Sequence, residues 1–205
     1  MKLFPKIIPV FPLSGVIYFP KTNLPLNIFE QRYLDLVKDT FKKDKLMGMV
    51  QSQKSGQGVY KVGCLGKISD LQESKDGRVL INLTGITRFR ILEEINNNKL
   101  YREFKVDYTN FELDLKNLSG NKSTEELINK VKFFFKKNGL LLNWKEFEKL
   151  DKIQQINTLS MISPITNEEK QKLLEALTIE DKVKTLESII SFYLHDINFN
   201  NQTVQ

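Results

Sequence analysis

Five prolines in the first 25 residues, Pro5, Pro9, Pro12, Pro20 and Pro25, constrain this chain more than any other feature. Each removes a backbone donor and pushes the residue before it towards an extended conformation. No helix fits between them, so the apolar pieces Ile7 to Val10 and Val16 to Phe19 are predicted to be short strands or sheet edges. The pattern changes at Asn27. A side chain able to cap is followed three residues later by Glu30, and apolar residues recur at Phe29, Tyr33, Leu36, Val37 and Phe41, which predicts a helix entered at Asn27.

Strand signals continue to about Thr109. Lys45 to Val50 is a short apolar run. Tyr60 to Ile68 follows with Gly63 and Gly66 inside it, which suggests bulges or bends. Lys75-Asp76-Gly77-Arg78 is a hairpin turn leading into Val79 to Leu83. Gly85 interrupts the pattern before Arg88 to Leu92, and a last alternating run lies between Leu100 and Thr109. Five or six strands with internal glycines and one helix predict a small, twisted, partly closed barrel.

From Asp114 to Lys122 the chain reads as a polar linker, after which the period becomes helical. Ser123 and Glu126 suggest a capping box. Leu127, Ile128, Val131, Phe134 and Phe135 then share one arc at 100° per residue, with Phe133 on the opposite, charged face. Further helices are expected around Trp144 to Leu150, from Asp151 to Ile162, from a Thr166/Glu169 capping box, and from Thr178 onward. The expected organisation is a β-rich unit over 1–113, a helical bundle over 123–197 and a polar tail over 198–205.

Three phrases carry a family resemblance. They are Leu24-Pro25-Leu26-Asn27-Ile28-Phe29-Glu30-Gln31-Arg32-Tyr33, then Tyr60 to Ile68 with its two glycines, then Leu83-Thr84-Gly85-Ile86 leading to Arg88-Phe89-Arg90. In that order they resemble the N-terminal domain family of Lon proteases, and Glu169-Lys170-Gln171 with Leu173-Leu174-Glu175 is similar to its helical half. The resemblance implies an α+β fold: a β-rich PUA-like pseudobarrel followed by an α-helical bundle. It further implies recognition of unfolded or apolar polypeptide segments. With the ATPase and protease parts missing from the sequence, a non-catalytic module without a cofactor is expected, one that presents clients to a separate protease, acts as a weak chaperone or binds one fixed partner.

Candidate chemistry is sparse. A phosphate loop of the G-x-x-x-x-G-K-[ST] type is absent: Gly63 to Ile68 is too short, and Ile68 cannot ligate magnesium. Cys64 is the only cysteine, which excludes an intrachain disulfide and a cysteine zinc site, and His195 is the only histidine. A hydrolase using Cys64 or His195 is the catalytic alternative; a small buried thiol and a histidine in a helix's last turn are the structural readings. The net charge of +6 comes mostly from dispersed lysines, so nucleic acid is a weak expectation. An RNA contact would use Arg88 and Arg90, one strand face of a PUA-like barrel. Glu30 is expected to pair with Arg32 or Arg88 and tie the first helix to the barrel. Phe133, a large aromatic on a charged face, calls for either an intramolecular neighbour, another helix or the barrel, or a partner, and is the candidate polypeptide contact. With prolines breaking the N-terminal apolar stretch and no long apolar run, a cytoplasmic protein without a membrane span is expected.

Overall fold

The computed structural model describes residues 4–53, 58–116 and 124–202, with side chains up to His195. The chain divides into two compact units, 1–116 and 117–205.

The first unit holds six strands: β1 (Ile7–Leu13), β2 (Asn23–Ile28), β3 (Leu46–Gln51), β4 (Val62–Glu73), β5 (Val79–Ile95) and β6 (Arg102–Asp107). Their order is β2-β5-β4-β3-β1-β6, and β6 pairs back onto β5, so five strands close a ring and β2 flanks it. β5 makes this possible by its length. Its first part, Val79 to Thr84, pairs with β2, and its last part, Arg90 to Ile95, pairs with β6. Gly85 therefore does not break the strand, as its sequence position suggested. It is a close-approach point, where an added Cβ would lie 2.3 Å from the Phe19 carbonyl oxygen. Register shifts at Leu65/Gly66 and Ile68/Asp70 supply the curvature that closure requires. Inside the ring, Ile8, Val10, Val50, Leu65, Phe89, Ile91, Phe104 and Val106 form one buried cluster.

β1 is no edge, despite Pro9 and Pro12. β6 covers Ile7 to Val10 and β3 covers Val10 to Leu13, so the two ladders overlap only at Val10 and each proline answers to one neighbour. Pro25 does sit on an outer strand. The helix expected at Asn27 starts later: Asn27 pairs with Leu80 within β2, and α1 spans Gln31–Phe41 behind an N-cap Glu30 that makes no side-chain capping bond. The β2–β5 ladder outcompetes the local capping signal. Tyr33, Leu36, Val37 and Thr40 are buried, while Phe29 precedes the helix and is 66% exposed.

The supposed linker after β6 begins as structure. Thr109–Leu115 is a 3₁₀ segment with Phe111 buried against the sheet.

The second unit is helical: α2 (Glu125–Lys137), α3 (Trp144–Phe147), α4 (Lys152–Ile162), α5 (Asn167–Glu175) and α6 (Ile179–Gln202). Ser123 lies outside the described residues. Capping boxes start α4 at Asp151/Gln154 and α5 at Thr166/Glu169. Gly139 follows α2 at φ +65°, where a side chain would be strained. α6 joins three of them: Lys182 Nζ donates to Asn157 Oδ1 on α4 at 2.6 Å, Lys130 on α2 pairs with Glu187 at 2.6 Å, and the Tyr193 hydroxyl donates to Glu169 on α5 at 2.9 Å. α6 runs on through residues read as polar tail, since neither glycine nor proline stops it.

Candidate polypeptide-binding site

α1 connects β2 to β3 and packs against β1 and β3 of the barrel. Its buried stripe faces the barrel: the Tyr33 ring meets Phe11 edge-on at 4.1 Å, and Asp39 accepts a hydrogen bond from the Tyr101 hydroxyl at 2.8 Å. A second face of α1 carries half-buried Leu34 with exposed Lys38 and Phe41. Between it and the β4–β5 hairpin lies an open groove of about 440 Å³. Leu34, Val37 and Phe41 form one wall and Leu71 and Val79 the other, with Asp35, Lys38, Lys42 and Glu73 around them. Phe41 is 37% exposed, with the Lys45 ammonium 4.2 Å from its ring centroid. The mouth thus combines apolar walls with charges of both signs. It can take up apolar side chains, and none of its groups is arranged for bond-breaking chemistry.

The sequence-derived candidates are dispersed. Arg88 is 3% exposed and Asp114 9%, and they form a bidentate pair: Arg88 Nη2 donates to Asp114 Oδ1 at 2.9 Å and Nε to Oδ2 at 2.9 Å. The Arg88 backbone N–H adds a bond to Asp114 Oδ2 at 2.8 Å, and the guanidinium stacks 4.6 Å over the Phe111 ring. This arginine pins the 3₁₀ segment to β5 and is withdrawn from the surface, which removes it as an RNA contact and as the partner of Glu30. Arg90 alone of the two remains exposed.

Glu30 pairs with Arg32, Oε2 to Nη2 at 2.7 Å, but both side chains are about half exposed and the pair spans two residues. It therefore does not tie the helix to the barrel. That role falls to Tyr33 and Asp39. Phe133 is 48% exposed with Lys137 Nζ 5.4 Å from its ring centroid, whereas Phe134 and Phe135 are buried at 1% and 2%. Cys64 is fully buried in β4, and Lys67 pairs with Thr84 in the same ladder, so the glycine-lysine stretch is strand throughout. His195 is exposed about two turns before the end of α6, not in its last turn. Among the described residues no group of three or more His, Cys, Asp or Glu side chains could hold a metal ion, and no helix is long and apolar enough to cross a membrane.

Sequence reasoning missed Leu34, Leu71 and Val79 as groove residues and Asp114 as a partner. Leu34 and Phe41, seven apart on α1, were legible as a second apolar row. Nothing local to Asp114 pointed to an arginine 26 residues earlier.

Comparisons with known proteins agree with the fold. The chain is 27% identical over 216 residues to a Lon protease of Syntrophus aciditrophicus, covering 97% of this chain and 26% of that one. It is 33% identical over 100 residues to a Lon protease of Cytophaga hutchinsonii, covering 46% and 12%. It thus spans about a quarter or less of these relatives. The Lon N-terminal domain protein of Xanthomonas campestris superposes with a TM-score of 0.62 at 20% identity, over 90% of this chain and 97% of that one. The N-terminal domain of a Mycobacterium avium complex Lon protease gives 0.64 at 15% identity, over 91% and 98%. A profile of the ATP-dependent protease La (LON) substrate-binding domain matches residues 7–191, and the chain belongs to that family.

Proposed function

We propose that this chain is a non-catalytic polypeptide-binding module that holds exposed apolar segments of non-native proteins in the groove between α1 and the β4–β5 hairpin. The groove itself carries the reading: a substrate-binding domain needs an accessible apolar surface, and here Leu34, Phe41, Leu71 and Val79 provide one with a charged rim. Phe133 is a second apolar contact on the helical unit. The absence of catalysis is supported by Cys64, sealed in the barrel, by the lone His195, and by a sequence without a phosphate loop. A cytoplasmic setting fits a single, reduced and buried cysteine. A separate protease or chaperone would receive what the module holds.

Fluorescence anisotropy with labelled lactalbumin tests this. The reduced, carboxymethylated, permanently unfolded form should bind and the native form should not. Phe41→Asp or Leu34→Asp should weaken binding about tenfold or more while leaving the melting temperature close to wild type. Equal binding of both forms, or binding indifferent to both substitutions, contradicts the proposal.

A further inference from the structure

One wall of this groove is an open sheet edge. β3 pairs with β4 only from Leu46 opposite Lys67 to Met49 opposite Cys64. A final bond runs from the Ile68 N–H to the Lys45 carbonyl at 2.9 Å, and at Lys45 the backbone turns away with φ +63°. β4 continues to Glu73 with β5 on one side only. The stretch left open, residues 69–73, is about 17 Å long.

The direction of its backbone groups follows from the hairpin. Ser74 N–H donates to the Arg78 carbonyl at 2.8 Å, and the pairing then runs without a register shift from Glu73–Val79 to Asp70–Asn82. Hydrogen-bonded pairs alternate in an antiparallel ladder, so Gln72 and Asp70 bond to β5 while the N–H and C=O groups of Leu71 and Glu73 point away from it. A side chain has taken up one of these donors: Asp70 Oδ1 accepts from the Leu71 N–H at 2.9 Å. Such a local stand-in blunts an edge without covering it. The Leu71 and Glu73 side chains face the groove, across from Phe41 and Lys42, while Asp70 and Gln72 point to the other face of the sheet. Asp70 enters no ion pair among the described residues.

We propose that an extended polypeptide segment adds to β4 as an antiparallel strand, in line with β3, its alternate apolar side chains entering the groove and its intervening basic side chains lying over Asp70. The inference rests on the polypeptide-binding reading above and specifies the class of segment held. Backbone bonds to Leu71 and Glu73 fix the strand, and residues opposite those two turn both their N–H groups and their side chains to the site. A helical segment, its backbone already satisfied, gains nothing at this edge. An acidic segment meets Asp70 with like charge.

A fluorescein-labelled ten-residue peptide alternating valine and lysine tests the geometry without altering the protein. With valines in the groove, the valine N–H groups are the ones that bond to β4. N-methylation of every valine should therefore reduce affinity tenfold or more, and N-methylation of every lysine should change it less than twofold. If the parent peptide binds and the two methylated forms behave alike, strand addition is wrong and the groove reading stands. If the parent peptide fails to bind while carboxymethylated lactalbumin binds, the inferred segment class is wrong and the groove reading again stands. If neither binds, both fall together.

Discussion

The barrel unit and the helical unit are stabilised by opposite strategies. In the barrel, residues far apart in sequence close the structure: Ile7 pairs with Lys105, Asn23 with Thr84, and the Arg88–Asp114 pair staples a 3₁₀ segment across 26 residues. In the helical unit most specification is local. Asp151, Thr166 and Thr178 each accept from a backbone N–H three residues on, and apolar stripes do the rest. A unit closed by distant partners should fail when one staple is cut, whereas a unit of capped helices should lose stability in small steps, except at its aromatic core.

The largest effects should separate the units. Asp114→Ala leaves the Arg88 guanidinium buried without its carboxylate and should cost about 3 to 5 kcal/mol, read by denaturant melts. A cost under about 1 kcal/mol would show the 3₁₀ segment to be dispensable. Phe134→Ala should cost a similar amount, about 3 to 5 kcal/mol, through the cavity left beneath Tyr193. Phe133→Ala should cost far less, because about half of that side chain is already in solvent. Equal costs for Phe133 and Phe134 would overturn the assignment of the buried stripe.

An alkaline scan sharpens the contrast. Burial raises the hydroxyl pKa of Tyr18, Tyr33, Tyr101 and Tyr108, all in the barrel. The folded barrel therefore keeps these protons longer than the unfolded chain, and their contribution is complete below about pH 10 and lost as pH rises beyond it. Burial lowers the pKa of Lys170 in the helical unit, so its contribution is complete above the unfolded lysine range near 10.4 and is lost as pH falls through the folded value. Between pH 9 and 11 the barrel should weaken first. Trp144, the only tryptophan, reports the helical unit by fluorescence, and amide exchange of β5 reports the barrel. The opposite order of loss contradicts the assignment.

Smaller effects follow. Thr166→Ala removes a capping box and should cost about 1 kcal/mol in a thermal melt. Arg32→Ala breaks an exposed pair with Glu30 and a cation–π contact 4.6 Å over the Tyr33 ring, and should cost about 0.5 to 1 kcal/mol; a loss well above that would show that Arg32 braces the helix.

The same contrast explains what the sequence disclosed. The starts of α4, α5 and α6 were legible because a cap and its partner lie within four residues, and Phe133 could be set apart from Phe134 by the helical period alone. The barrel was legible as a class, through prolines, glycines and family-like phrases. Its particulars were not: the Asn27 capping signal lost to a ladder with β5, the prolines of β1 were absorbed where two ladders barely overlap, and Asp114 found Arg88 only through the fold. The groove was hidden for the same reason. Leu34 and Phe41 belong to a helix, Leu71 and Val79 to a hairpin, and only the packing of α1 on the barrel brings them together.

The most direct test of that groove is residue-resolved NMR of the ¹⁵N-labelled chain titrated with carboxymethylated lactalbumin. The largest saturable amide shifts should fall at Leu34, Lys38, Phe41, Leu71, Glu73 and Val79, with any second set confined to the neighbourhood of Phe133. Shifts centred on the Arg90 face or around His195, with the α1 and hairpin amides unmoved, would contradict it.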